Sequence, residues 1–177
     1  MAALKKVFIV IAGVIVLATV LGFMLPADYR VERSIVIDAP PQDIYPAVVN
    51  LKQWPQWGVW FKRDPKMEIV YGGPDRAIGM KTEWLSETQG NGQMEITALE
   101  HNRKVTYSLY FPEFDMGSVG EFQLIETEQG TRVVWSDSGE VGMNPMDRYF
   151  ALMMDSFIGP DFEAGLENLK VIVESKS

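Results

Sequence analysis

The pattern of apolar and polar positions changes character along the chain. Val7 to Leu25 is nineteen consecutive residues without a charge. As a helix this run would extend roughly 28 Å, enough to cross a hydrocarbon core, and it is apolar on every face. A membrane anchor is therefore expected over residues 1–27. The alternative is a cleaved signal peptide, whose apolar region is usually about 7–15 residues long and ends at a small-x-small site. The exit, Gly22-Phe23-Met24-Leu25-Pro26-Ala27, offers no clean site of that kind. Lys5, Lys6 and the amino terminus before the run, set against Arg30 and Arg33 after it, lead to the expectation that the N-terminus is cytoplasmic and the rest of the chain lies outside. Cleavage would instead give an exported soluble protein.

Beyond the short linker Pro26-Ala27-Asp28, the period falls to two. Tyr29–Asp38 reads as a strand rich in β-branched residues and ends at Ala39-Pro40-Pro41. Pro41 suits a first helical turn, and Ile44, Tyr45, Val48, Val49 and Leu51 recur at helical spacing. Trp54, Trp57, Trp60 and Phe61 follow, interrupted by Pro55 and Gly58. That predicts one short turn and then a loop, with the indoles directed inward. Six further strands are predicted at Met67–Tyr71, Gly79–Glu87, Gln93–Glu100, Lys104–Phe111, Ser118–Glu126 and Thr131–Val141, each ending at glycine, asparagine or proline turn signals. An antiparallel meander results, and with Tyr29–Asp38 the sheet has seven strands.

The chain ends in helix. Asn144-Pro145 supplies an N-cap and a proline at the first helical position. Met146, Phe150, Met153, Met154, Phe157 and Ile158 form an apolar stripe. Gly159-Pro160 is expected to break or kink this helix, and a second one then carries Phe162, Leu166, Leu169 and Val173. The class is α+β, with one soluble domain over residues 28–177.

Composition narrows the chemistry. The formal net charge is −8, yet no acidic residue precedes Asp28 and only two of the 16 basic residues do, so the domain is more acidic than the whole chain. Such a surface repels phosphate backbones, which argues against nucleic acid as a partner. Lysine and arginine never run longer than two, so a basic patch for anionic lipid is not expected either. Cysteine is absent, which excludes disulfides, thiolate nucleophiles and cysteine-based metal sites. His101, the single histidine, sits in the turn Glu100-His101-Asn102-Arg103 and is expected to be solvated. Neither a Ser–His pair nor a histidine metal site has convergent partners. Gly-x-Ser-x-Gly, phosphate-loop and dinucleotide fingerprints are missing, and no metal or cofactor is expected.

Three stretches carry a resemblance to a known family: Ser34-Ile35-Val36-Ile37-Asp38-Ala39-Pro40 followed by Asp43-Ile44-Tyr45, then Leu51-Lys52-Gln53-Trp54-Pro55-Gln56-Trp57, and last Gly165-Leu166-Glu167-Asn168-Leu169-Lys170. In these, and in the order of its elements, the chain resembles the START-like (SRPBCC) superfamily. Within it, the chain is similar to the polyketide cyclase/dehydrase and lipid-transport family. The resemblance spans about residues 29–175. It implies a helix-grip fold, a curved sheet wrapped around the last helix, with room for an apolar guest. The family has no universal catalytic motif, so none is carried over.

In such a fold the spacing by twos of Trp84, Tyr107, Leu109, Phe122, Leu124, Val133 and Trp135 suits one concave face. Large, polarizable side chains fit an apolar guest. The expected site has Trp84, Tyr107, Phe122 and Trp135 as its sheet wall and Trp57 and Trp60 at its entrance. Phe150, Met153 and Phe157 would form a helical lid. The competing reading is that these residues merely fill the core. Asp137 lies two residues beyond Trp135 and should share its face. Inside an apolar cavity it would have a raised pKa and could move a proton. The plainer expectation is a strand that bends near Ser136–Gly139 and leaves Asp137 solvated at a rim. The leading functional reading is a membrane-tethered binder or carrier of a hydrophobic small molecule or lipid. The alternative is a cyclase or dehydratase acting on a reactive carbonyl compound, with Asp137 and Tyr107 or Tyr110 as acid–base groups. A third is a structural domain with a filled core.

Overall fold

The period-two segments all form strands of one sheet. A computed structural model describes residues 2–176. Helix α1 (Ala2–Met24) leads through the linker into β1 (Asp28–Ile37). Helix α2 (Pro41–Val49) follows, then a 3-10 turn at Leu51–Gln53 and two short helices, α3 (Trp54–Trp57) and α4 (Val59–Arg63). The meander is β2 (Glu68–Gly72), β3 (Lys81–Leu85), β4 (Gly92–Glu100), β5 (Lys104–Phe111), β6 (Met116–Thr127) and β7 (Gly130–Glu140). The chain closes on α5 (Pro145–Glu174). Every pairing is antiparallel, in the order β1-β7-β6-β5-β4-β3-β2. The first strand therefore returns to pair with the last, Val31 opposite Asp137 and Ile35 opposite Val133. A bulge between Ile96 and Ala98 adds to the curvature that lets the sheet wrap α5.

The tryptophan-rich stretch is more ordered than the single turn and loop expected. Asn50 ends α2, and its side chain accepts from the Lys52 amide at 3.1 Å. The indoles of Trp54 and Trp57 then donate back to the α2 carbonyls of Val48 and Ala47, at 3.0 and 3.3 Å. These bonds satisfy carbonyls near the end of α2 and fold α3 under the sheet.

The closing helix is not broken at Gly159-Pro160, as the sequence suggested. It runs unbroken for 30 residues with Pro160 inside it. Arg33 of β1 provides the reason. Its guanidinium binds Asp155 at 2.7 and 3.0 Å and Glu163 at 2.6 Å, spanning the proline from both sides. Gly159 is buried beneath that guanidinium, where a Cβ would overlap it. The two carboxylates hold Arg33 firmly charged, and Arg33 in turn lowers the Asp155 carboxyl below its ordinary range. A tertiary clamp therefore compensates a local helix breaker. Below it Phe162, Leu166, Leu169 and Val173 form one buried seam against the sheet.

Candidate functional site

The concave face of the sheet is built by alternation. β5 directs Tyr107, Leu109 and Phe111 towards α5, β7 directs Trp135 and Asp137, and β3 directs Thr82 and Trp84. From the helix come Met154, Ile158 and Phe162, each four residues on from the last. Between these walls, with Trp60 and Phe61 of α4 along one side, lies a cavity of about 220 Å³.

Three glycines give the rings their room. Tyr107 is paired with Gly120, Trp84 with Gly92 and Tyr29 with Gly139, each directly across the ladder. In all three pairs a Cβ on the glycine would overlap the opposite ring. The aromatic side chains therefore lie down on the neighbouring strand instead of standing into the space beneath α5.

Trp135 organises the inner end. Its ring stacks on Phe162 at 3.9 Å and 3°, and on Phe122 at 4.8 Å and 24°. Trp57 and Trp60 meet it edge-on at 5.5 and 5.9 Å. Its indole N–H donates to the Tyr107 hydroxyl at 2.9 Å. Among the described residues that hydroxyl donates to no protein group, which leaves it a donor in reserve at the cavity.

The polar end is small and buried. Asp137 accepts from Ser118 Oγ at 2.9 Å and, more weakly, from the Tyr29 hydroxyl at 3.4 Å. Burial raises its carboxyl above the ordinary carboxylate range, against the lowering pull of the Ser118 and Tyr29 hydroxyls. Burial, reinforced by the Asp137 charge, pushes Tyr29 up to about 12 and lifts Tyr107 well above its usual value. Both phenols are thus neutral donors at neutral pH. Chemically the site is an apolar chamber ending in a carboxyl, a serine hydroxyl and two phenols, able to hold one polar group or to move one proton.

Asp137 corrects the expectation of a solvated rim. β7 continues to Glu140 and is paired on both sides at this point, with Val31 and with Gly120. The strand cannot bend away, and Asp137 is only 4% exposed. A folded-state pKa raised above the unfolded one has a defined consequence. The folded state holds a proton that the unfolded state has lost, so stability falls as pH rises from the unfolded carboxyl value through the folded one. Asp137→Asn should remove that dependence. Thermal unfolding across the acid range should show the native chain gaining on the variant as pH is lowered through this window. Parallel curves would mean that Asp137 titrates as an ordinary carboxylate.

Of the residues singled out from the sequence, Trp60, Trp84, Tyr107 and Trp135 line the cavity, as does Asp137. Trp57 and Phe122 do not; they pack behind Trp135 and are fully buried, so Trp57 is no entrance. Phe150, Met153 and Phe157 lie outside it. Helical phase explains the correction: the apolar stripe of α5 is wider than one face, and only Met154 and Ile158 turn towards the sheet. Tyr29 and Ser118 were missed. Their signal was a glycine two residues beyond Ser118 and another opposite Tyr29, visible only once the register is known.

Among curated proteins, none matches this sequence. Solved structures share the fold. A protein from Mesorhizobium loti, MLL2253, aligns at TM-score 0.60 and 20% identity over 84% of this chain and 98% of its own. A Staphylococcus aureus protein of unknown function, SA2116, aligns at TM-score 0.65 and 16% identity over 84% and 95%. The di-domain aromatase/cyclase StfQ of the steffimycin biosynthetic pathway aligns at TM-score 0.66 and 14% identity, over 85% of this chain and 52% of StfQ. The present chain spans about half of StfQ, and at these identities the likeness is one of fold. The family model described as polyketide cyclase / dehydrase and lipid transport matches residues 28–174. The chain belongs to that polyketide cyclase/dehydrase and lipid transport family.

Proposed function

We propose that the protein is a membrane-tethered binder or carrier of a hydrophobic small molecule or lipid, held between the sheet and α5. The observation that carries this reading is the chamber itself: aromatic and aliphatic walls closed at one end by Asp137, Tyr29, Ser118 and Tyr107. Its size limits the guest. A cavity of about 150 Å³ accepts benzene, so about 220 Å³ takes a small ring system or part of an acyl chain, and not a whole phospholipid. The polar end suits a guest with one hydroxyl or carbonyl group. Residues 7–25 form the tether, with Lys5 and Lys6 on the cytoplasmic side and the domain outside it.

Native mass spectrometry of the full chain, released from its host membrane in mild detergent and then extracted with organic solvent, should recover a bound guest. That guest should shift the tryptophan emission on rebinding. Tyr107→Phe removes one hydrogen-bond donor and should weaken a hydroxyl- or carbonyl-bearing guest by about threefold to tenfold, the usual range for one such bond. Recovery of an empty protein that also fails to bind a small apolar dye would leave only a structural role.

A second reading has one observation in its favour, the buried Asp137 beside two neutral phenols. These groups could serve a cyclase or dehydratase acting on a reactive carbonyl compound. Mass analysis of the guest after prolonged incubation separates the two: loss of water that Asp137→Asn abolishes supports the enzyme, and an unchanged guest supports the carrier.

A further inference from the structure

The first half of α5 carries an apolar face that the cavity does not use. Met146, Phe150, Met153 and Phe157 recur at spacings of four, three and four, and they are 55, 60, 47 and 54% exposed. They lie opposite the buried Phe162–Leu166–Leu169 seam and beside Met154 and Ile158 of the cavity wall. Two nearby charges are turned elsewhere: Asp155 to Arg33, and Arg148 to the end of α1. Asp147 stands in the first turn, where the helix N-terminus favours it.

We propose that this face is a lipid-contact surface, with the first half of α5 lying in the bilayer interface beside α1 and the cavity rim turned towards lipid. Continuity with α1 is the first support. Tyr149 donates from its hydroxyl to the Ala18 carbonyl at 2.7 Å. Arg148 donates to the Phe23 and Leu25 carbonyls at 2.9 and 3.0 Å. Gly22 lies so close to Pro145 that a Cβ would overlap it. Ala18 is seven residues inside Leu25, roughly 10 Å along a helix. With α1 as the span, the start of α5 is drawn to the depth at which interfacial helices lie, about 5–10 Å into the headgroup boundary.

Sheet register gives the second support. β1 begins, β7 ends, β5 ends and β6 begins at the same end of the sheet, the end that α1 enters. The β5–β6 hairpin tip there carries Phe114, 68% exposed. Trp84, Phe111 and Met116, partly buried members of the cavity wall, are also at this end. The domain is acidic and lacks a basic cluster, so the contact rests on apolar insertion and should not require anionic lipid. This inference rests on the reading of α1 as a retained anchor. It adds that a guest reaches the cavity from the lipid phase.

The absence of native cysteine allows a direct test. Phe150→Cys, Phe157→Cys, Val14→Cys and Glu128→Cys would each be prepared in the full chain, labelled with a nitrobenzoxadiazole dye and reconstituted into phosphatidylcholine vesicles. Labels at 150 and 157, like that at 14, should lose emission to a doxyl-bearing lipid and resist aqueous iodide. The label at 128, in the β6–β7 turn at the opposite end of the sheet, should do the reverse. Iodide quenching at 150 and 157 with lipid quenching retained at 14 would overturn the contact surface while leaving the anchor intact. Shielding from both quenchers at 150 would mean that a second protein copy covers the face, and would overturn it equally. Loss of lipid quenching at 14 would remove the anchor and this inference together, while recovery of a bound guest tests the cavity separately.

Discussion

Trp135→Ala is expected to destabilise the domain by about 3–5 kcal/mol, the range for deleting a large buried aromatic side chain. Trp135 is 1% exposed and meets five other rings: Trp54, Trp57, Trp60, Phe122 and Phe162. Its removal enlarges the cavity and also leaves the Tyr107 hydroxyl without its indole partner. A domain of this size is typically stable by only about 5–15 kcal/mol, so the variant should unfold at a much lower urea concentration. The cavity and the stability of the fold share this residue, which makes Trp135→Ala a poor probe of binding alone. Trp135→Phe preserves a ring against Phe162 and should retain the fold at a much smaller cost. Urea unfolding followed by far-ultraviolet circular dichroism measures both. A loss below about 1 kcal/mol for Trp135→Ala would lie under the range for a buried aromatic and would show that the ring cluster does not depend on it.

The sequence and the structure agree at most places where the deciding interactions are local. Turn glycines such as Gly73, Gly90 and Gly130, all with positive φ, punctuate the meander where the sequence placed its breaks. Asn144 caps α5 from the position expected, accepting from the Met146 amide at 3.0 Å. One departure is near-range, the extra turns after Asn50 that the Trp54 and Trp57 indoles tie back to α2; the others are tertiary. Gly159-Pro160 is a sound local breaker, but Arg33 lies more than a hundred residues away and bridges it. Asp137 reads as a rim residue until β1 is known to pair beside β7. The lid assigned to Phe150, Met153 and Phe157 went astray for the same reason. An apolar stripe reports that a helix has neighbours, and the position of α1 and the sheet decides which side each takes. The cavity aromatics were half legible, because period two gives the face of Tyr107 and Trp84 but not the glycine opposite each ring. The match of Tyr107 to Gly120 and of Trp84 to Gly92 is a property of register.

Leu166→Ala should cost about 2–5 kcal/mol, with the exact value set by how far the site collapses. Leu166 is 1% exposed and stands in the α5 seam between Phe162 and Leu169. Its neighbour Gly165 lies against the Trp135 ring, where a Cβ would sit 2.9 Å from Cζ3. The backbone of α5 is thus already as near the aromatic cluster as it can come, and it has little freedom to move inward and fill a void. That places the expected loss towards the upper part of the range. Val171→Ala is the matched control, a truncation on the same helix at a residue 65% exposed. Alanine has the higher helix propensity, so this change should be close to neutral. All five tryptophans lie between residues 54 and 135, so their emission follows the domain and not α1. Urea titration of the full chain in mild detergent should give a clearly lowered midpoint for Leu166→Ala with an unchanged slope, and a midpoint near that of the native chain for Val171→Ala. Equal shifts for the two would contradict the burial of the seam and, with it, α5 as the element that closes the sheet.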